Sequence, residues 1–126
     1  MEKKIVNTPR APAPIGPYSQ AVQTGSMLFV SGQVAIDPAT GNMVSGDIVA
    51  EATQVMKNLE TILHEAQFTF QHVVKTTIFL SDMSLFAQVN EVYGKHFNGD
   101  FPARETVAVK GLPKDANVEI SVIASR

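Results

Sequence analysis

A long amphipathic stretch from Asp47 to Gln67 constrains the fold more than any other feature of the chain. Its apolar residues recur at i, i+4, i+7, i+8, i+11, i+14, i+15 and i+18, the spacing of one helix face. Asp47 is predicted to cap the helix, and His64 near its end is predicted to be exposed. A helix of this kind must pack its apolar face on a second layer. The face consists of Ile48, Ala52, Val55, Met56, Leu59, Ile62, Leu63 and Ala66.

β-Branched and aromatic runs on both sides of this helix predict the second layer, a sheet. The run that begins at Met27 is apolar throughout until Ser31, which is typical of a strand buried on both faces. The predicted strands are a short one at Ile5-Val6, then Ser19–Thr24, Met27–Ser31, Val73–Leu80, Arg104–Val109 and Val118–Ala124.

A second helix is predicted after the caps offered by residues 81–84. Its apolar stripe is Leu85, Phe86, Val89, Val92, Tyr93 and Phe97, with Asn90 beside it. The predicted order is three strands, helix, strand, helix and two strands, which indicates an α+β fold: one mixed sheet with two helices on one face. Since apolar strands also need cover on the other face, and charged residues are only 17% of the chain, a second subunit is expected there.

The proline-rich segment from Thr8 to Pro17 is predicted to be a stiff, extended loop. Two alternatives remain open at this point. The segment is either a floppy N-terminal arm, or a loop pinned by the nearby Ile15, Tyr18 and Val22.

Length and composition exclude several classes of protein. The 126 residues fit one domain, residues 1–126. No cysteine is present, the three histidines lack metal-ligand spacing, and no phosphate-binding or nucleophile motif occurs, so no metal site is predicted. A net charge of −2 with scattered basic residues argues against nucleic acid. No signal peptide or membrane span is predicted, which makes the cytoplasm the expected location.

A small polar set remains on this apolar scaffold: Tyr18, Ser31, Asn90, Arg104 and Glu119. Arg104 follows Phe-Pro-Ala and opens a strand, so its guanidinium is suited to a two-bond grip on a carboxylate or phosphate. Taken alone, Arg104 has a plainer reading as half of a surface ion pair, Ser31 as a bulge or turn residue, and Asn90 as a solvated side chain. Glu119 is predicted to point away from the side chains on either side of it in its strand.

Six short motifs connect these residues. They are Ala13–Gln20 (APIGPYSQ), Ser31–Gln33 with Asp37–Gly41, Val74–Thr77, Val89-Asn90 with Tyr93, Phe101–Arg104, and Leu112–Asp115 with Val118–Ile120. In this order and spacing they resemble the RidA (YjgF) family of reactive-intermediate deaminases over nearly the whole chain.

The resemblance implies a chorismate-mutase-like α+β fold and a homotrimer in which three sheets form an inner barrel, with ligand sites in the clefts between subunits. It implies hydrolysis of 2-aminoacrylate-type enamines or imines, released by pyridoxal-phosphate enzymes, to 2-keto acids and ammonia. This is the reaction of a 2-iminobutanoate/2-iminopropanoate deaminase, and it needs no metal or organic cofactor.

The resemblance also implies roles for individual residues. Arg104 would bind the substrate carboxylate, and Glu119 would position or deprotonate the attacking water. Tyr18, Ser31 and Gly32 would line the cleft, and Asn90 would match the family's helix asparagine.

One departure follows the arginine, where the family commonly has a small residue and then a cysteine. Here the residues are Glu105 and Thr106. Thr106 is expected to serve through its backbone, and strand alternation predicts that Glu105 points away from Arg104. Two other functions stay open: a module that binds a small carboxylate or 2-keto acid without turnover, and a ribonuclease, against which the acidic composition argues.

Overall fold

The computed structural model describes residues 2–126, and its helices and strands follow the predicted order. One mixed sheet has the strand order β1-β2-β3-β6-β4-β5, in which β4 and β5 run parallel and the other neighbours antiparallel. The strands are β1 (Lys4–Val6), β2 (Ala21–Thr24), β3 (Met27–Gln33), β4 (Val73–Leu80), β5 (Ala103–Ala108) and β6 (Val118–Ser125), and the helices are α1 (Ile48–Glu65) and α2 (Phe86–Gly94).

Helix α1 confirms the predicted amphipathic stretch, although it ends at Glu65 rather than at Gln67. Asp47 caps it, because the Asp47 carboxylate accepts a hydrogen bond of 2.9 Å from the Val49 amide. The helix ends early because Gln67 adopts a left-handed conformation with φ 65°. His64 is exposed, as predicted. The predicted apolar face supplies much of the core between the helix and the sheet.

Helix α2 is shorter than its apolar stripe. A 3₁₀ turn, Met83–Leu85, precedes the helix. The Asp82 carboxylate caps that turn by accepting a hydrogen bond of 2.8 Å from the Ser84 amide. Phe97 lies beyond the end of the helix, so its predicted place on the helix face is wrong. Its ring is nevertheless buried, with its centroid 4.9 Å from that of Tyr93. The stripe therefore predicted burial correctly and the helix end incorrectly.

The two faces of the sheet differ. Alternate side chains of β6, beginning with Val118 and Ile120, are buried beneath the helices, and the intervening ones are only half-buried. On the helix-free face, Phe29 and Val107 are 43% and 47% exposed. Within one chain β3 is therefore buried on one face, and its predicted burial on both requires the cover expected from a second subunit. Cover from a second subunit stays a prediction.

The proline-rich loop is held by Gln20, whose side chain is buried. The side-chain oxygen of Gln20 accepts a hydrogen bond of 2.7 Å from the Thr8 amide. Its side-chain nitrogen donates hydrogen bonds of 3.0 Å each to the carbonyls of Thr8 and Pro12. Of the two alternatives left open by the sequence, these bonds support the pinned loop, but Gln20 holds it, whereas Ile15 and Tyr18 are 71% and 52% exposed. A glutamine side chain can satisfy backbone groups of a proline-rich segment that apolar contacts cannot.

None of the helices in residues 2–126 has both the length and the apolar character that crossing a membrane requires.

Candidate functional site

The Arg104 side chain is fixed by helix α2. Its guanidinium carbon lies 5.2 Å from the ring centroid of Tyr93 and 5.5 Å from that of Phe86. One guanidinium nitrogen donates a hydrogen bond of 2.7 Å to the side-chain oxygen of Asn90. Cation–π contacts and this bond hold the group without neutralising it. The plainer reading of Arg104, a surface ion pair, is wrong for residues 2–126, where no acid lies within ion-pair distance of it.

Tyr93 is itself held in place beneath the arginine. Its hydroxyl donates a hydrogen bond of 2.9 Å to the hydroxyl of Thr76, a fully buried residue of β4. Burial raises the pKa of Tyr93, while the Thr76 hydrogen bond and the charge of Arg104 act in the opposite direction. The phenol therefore stays neutral, and the positive charge of Arg104 remains available to an anion.

A cavity of about 410 Å³ opens beside the guanidinium. Phe101 and Pro102, which precede the strand, form part of its wall, so the apolar approach predicted from the sequence is present. The lining residues are Asn90, Tyr93, Gly94, Phe101, Pro102 and Arg104.

Glu105 does not compete for this cavity. Its carboxylate accepts a hydrogen bond of 2.8 Å from the Lys75 ammonium. Its side chain lies on the opposite face of β5 from Arg104, as the alternation of side chains along a strand predicted. Thr106 shares the face of Arg104, and its hydroxyl is buried with no hydrogen-bond partner among residues 2–126. Its expected backbone role stays a prediction.

Glu119 lines a second cavity, of about 570 Å³, which is separate from the cavity beside Arg104. Its side chain points away from the buried Val118 and Ile120, as predicted, and burial raises the pKa of its carboxyl. The lining residues are Ile15, Tyr18, Ser31, Gly32, Val34, Ile36, Pro113, Lys114 and Glu119.

An irregularity in the pairing of β3 with β6, between Val30 and Gln33, brings Ser31 and Gly32 beside Glu119. A Cβ atom on Gly32 would lie 2.8 Å from the carboxyl carbon of Glu119, so glycine lets this carboxyl lie directly against the backbone of β3. The Ser31 hydroxyl donates 2.6 Å to the Ser19 carbonyl and keeps only its lone pairs free.

Tyr18 stands at the rim of the same cavity. Its hydroxyl oxygen accepts 3.3 Å from the Ile15 amide, which leaves its proton free to donate to a ligand. Tyr18, Ser31 and Gly32 therefore group with Glu119, as a cleft-lining set would.

The predicted residues thus form two groups that line separate cavities. Asn90 joins Arg104 against the helices, while Glu119 lies on the helix-free face of the sheet. The two cavities share no lining residue, so one chain does not bring Arg104 and Glu119 into one cavity.

Sequence reasoning missed the groups that hold Arg104 in place. Phe86 and Tyr93 were assigned to the apolar stripe of the second helix, and only their i, i+7 spacing on the face that also presents Asn90 could have signalled a shared task. Thr76, which anchors Tyr93, gave no signal. Among residues 2–126, no three His, Asp or Glu side chains converge as metal ligands would.

Comparison with known proteins decides the family. The family described as Endoribonuclease L-PSP matches residues 8–126. The chain is 49% identical over 122 residues to the mouse 2-iminobutanoate/2-iminopropanoate deaminase, covering 97% of this chain and 90% of the mouse protein. The chain belongs to the endoribonuclease L-PSP (RidA/YjgF) family. The resemblance stated from the sequence is confirmed.

Solved structures of this family share the fold. YyfA of Yersinia pestis, a member of the conserved Rid family, has a TM-score of 0.96 at 46% identity, covering 99% of this chain and all of that one. TdcF of Escherichia coli with bound serine has a TM-score of 0.93 at 40% identity, with 98% of each chain covered. The predicted fold, a single mixed sheet with two helices on one face, is confirmed.

Proposed function

We propose that this protein hydrolyses 2-aminoacrylate-type enamines and their imine tautomers to 2-keto acids and ammonia, at sites formed between copies of the chain in a homotrimer. The observation that carries the proposal is the guanidinium of Arg104. It is held between two rings and an amide, has no acidic partner within residues 2–126, and opens onto a cavity. The mouse relative's name as an imine deaminase supports the reaction class.

Arg104 would bind the substrate carboxylate through two parallel hydrogen bonds. A bidentate grip fixes the plane of the small acid, and with it the direction from which the imine carbon can be attacked. The serine bound to the E. coli relative is, like 2-aminoacrylate, a three-carbon acid with a carboxylate.

Glu119 would act on the water. An enamine first takes a proton at its terminal carbon while its nitrogen loses one, and becomes the imine. Water oxygen then bonds to the imine carbon while one of its protons passes through Glu119 to nitrogen, which gives a carbinolamine. The remaining hydroxyl proton then passes through Glu119 to nitrogen, the carbon–nitrogen bond breaks, and ammonia leaves as the carbonyl of the keto acid forms. The raised pKa of Glu119 favours this exchange, because an acid–base group works best when its pKa approaches the pH of the medium.

Assembly would unite the two groups. Arg104 and Glu119 line separate cavities of one chain, and the helix-free face carries exposed apolar side chains, among them Phe29 and Val107. A neighbouring copy packed on that face would cover them and could bring its own Glu119 cavity to the Arg104 cavity. A stable monomer in sedimentation would contradict this assembly.

The family's description also names an endoribonuclease, but the small number of basic side chains in the two cavities favours a small substrate over RNA. Arg104 is the basic side chain of the first cavity and Lys114 that of the second. An RNA strand needs a basic groove along several phosphates, whereas one carboxylate needs one fork.

The test is turnover by Arg104→Lys. A pyridoxal-phosphate dehydratase generates 2-aminoacrylate from serine, and its accelerated loss is followed. Lysine keeps the charge but not the two-bond geometry, so acceleration should fall about a hundredfold, the order of loss expected from misplacing a substrate. Arg10→Lys is the matched control, since Arg10 forms only an exposed pair with Glu65 at 3.5 Å. Undiminished turnover by Arg104→Lys would show that the two-bond grip of Arg104 on the carboxylate is not part of the mechanism. Ligand binding that depends on Arg104, without any turnover, would indicate a binding module.

A further inference from the structure

A smaller cavity, of about 240 Å³, adjoins the Glu119 cavity. Ile15, Ile36 and Lys114 line both cavities, so the two lie side by side at these residues. The rest of the smaller cavity is formed by Pro12, Ala13, Pro38 and Gly41. We call it the side pocket.

The side pocket is apolar. Apart from Lys114, none of its lining residues has a polar side chain. Lys114 is exposed and forms no ion pair or side-chain hydrogen bond within residues 2–126, so its ammonium can stay in water while its stem covers the wall. The chemistry of this wall suits a hydrocarbon group.

The Glu119 cavity alone is larger than the smallest substrate needs. At roughly 30 Å³ for each water-sized group, the six heavy atoms of 2-aminoacrylate occupy no more than about 180 Å³. The Glu119 cavity measures about 570 Å³ before the side pocket is added. Within one chain, before a neighbouring copy packs on this face, room therefore remains for a side chain beyond the reacting carbon.

The walls of the side pocket are built into the fold. Gln20 fixes the loop that carries Pro12 and Ala13, through its bond to the Pro12 carbonyl. The amide of Asn58, a buried residue of α1, donates 2.9 Å to the Ile36 carbonyl.

The turn that carries Lys114 is strained. Lys114 and Asp115 both have left-handed backbones, with φ of 56° and 53°. Two successive non-glycine residues in this region cost free energy, which is typical of segments kept for function. A fixed, strained wall differs from an incidental surface groove.

We propose that the side pocket receives the side chain of the substrate, so that the enzyme prefers imines with branched or extended apolar side chains over the three-carbon imine. This inference rests on the proposed imine hydrolysis. In this arrangement Ile15 and Ile36 contact the hydrocarbon, while the carboxylate and imine carbon stay at the reacting groups. Each methylene enclosed adds to transition-state binding.

The test compares imines that an amino-acid oxidase generates from alanine, leucine and glutamate. Semicarbazide traps the imines, so a fall in the initial rate of semicarbazone formation measures their hydrolysis. The expected kcat/KM for the leucine-derived imine exceeds that for the alanine-derived imine by about tenfold or more. Ala13→Phe, which fills the side pocket, should remove this advantage and leave the alanine-derived rate unchanged.

Ala39→Phe is the matched control, because Ala39 is exposed and lines neither cavity. If Ala13→Phe fails to fold, Pro38→Ala removes part of a wall that belongs to the side pocket alone and should lower only the leucine-derived rate.

The outcomes separate the two proposals. If no imine is hydrolysed by the unmodified protein, the proposed function and the side-chain subsite both fail. If imines are hydrolysed but equal rates are found for leucine and alanine, or if Ala13→Phe slows both alike, the subsite alone is overturned. A preference for the glutamate-derived imine that Lys114→Met abolishes would overturn the apolar assignment in favour of an acidic side chain.

Discussion

Gly32→Ala tests whether the position of the Glu119 carboxyl matters for catalysis. The added methyl carbon would lie 2.8 Å from the carboxyl carbon of Glu119 and 3.1 Å from its Cγ and one oxygen. Ordinary contact begins at 3.4 Å, so the side chain must retreat by at least 0.6 Å. Overpacking of this size costs about 1–3 kcal/mol of stability, less where a side chain can yield. A displacement approaching 1 Å at a reacting group lowers kcat by about a hundredfold.

The assay is turnover of the imine together with urea unfolding of the same variant. Gly111→Ala is the matched control, because Gly111 has no heavy atom within 4 Å of its added carbon and no left-handed φ. The control should keep full turnover and change the free energy of unfolding by less than about 1 kcal/mol. Full turnover by Gly32→Ala, with the carboxyl displaced, would refute the claim that the position of the Glu119 carboxyl limits turnover.

Three further predictions concern groups around the two cavities. Glu119→Gln should raise the stability of the protein at neutral pH but not in strong acid. Burial raises the pKa of Glu119, so the folded chain holds that proton to higher pH than the unfolded chain, and stability is lost as the pH rises from the ordinary pKa to the raised one. Thermal melts with equal pH profiles for both proteins would contradict this. Asn90→Ala should raise KM about tenfold with a smaller change in kcat, because it removes a charge-assisted bond from Arg104, and steady-state kinetics with an unchanged KM would show that the bond does not orient the arginine. Gln20→Ala should cost about 1–3 kcal/mol and speed amide exchange in the proline-rich loop, since the Thr8 amide loses its buried acceptor; unaltered exchange would mean that other contacts hold the loop.

The fold was predictable because its signals are local. The 3.6-residue period of α1 and the β-branched runs each identify one element, and the Asp47 cap was predicted from a single residue. The end of α2 was not predictable, because Phe97 belongs to the same core through a tertiary contact with Tyr93 rather than through the helix.

The site was predictable only in part, for a related reason. Motif resemblance identified both Arg104 and Glu119, and alternation predicted that Glu105 avoids Arg104. No sequence period reports that Gln20 would bind backbone twelve residues away, or that Phe86 would lie against a guanidinium from another element. Such contacts depend on how elements pack, which a single sequence does not show.

The central claim is that Arg104 of one copy and Glu119 of another act on the same substrate, and mixing two inactive variants tests it directly. Arg104→Ala and Glu119→Gln chains are co-expressed with different tags, and mixed trimers are purified through both. Each mixed trimer contains a single junction at which an intact Arg104 meets an intact Glu119, so about a third of its sites should be complete. Turnover of the purified mixed trimers is therefore expected to return to about a third of the unmodified activity. Mixed trimers no more active than either variant alone would contradict it.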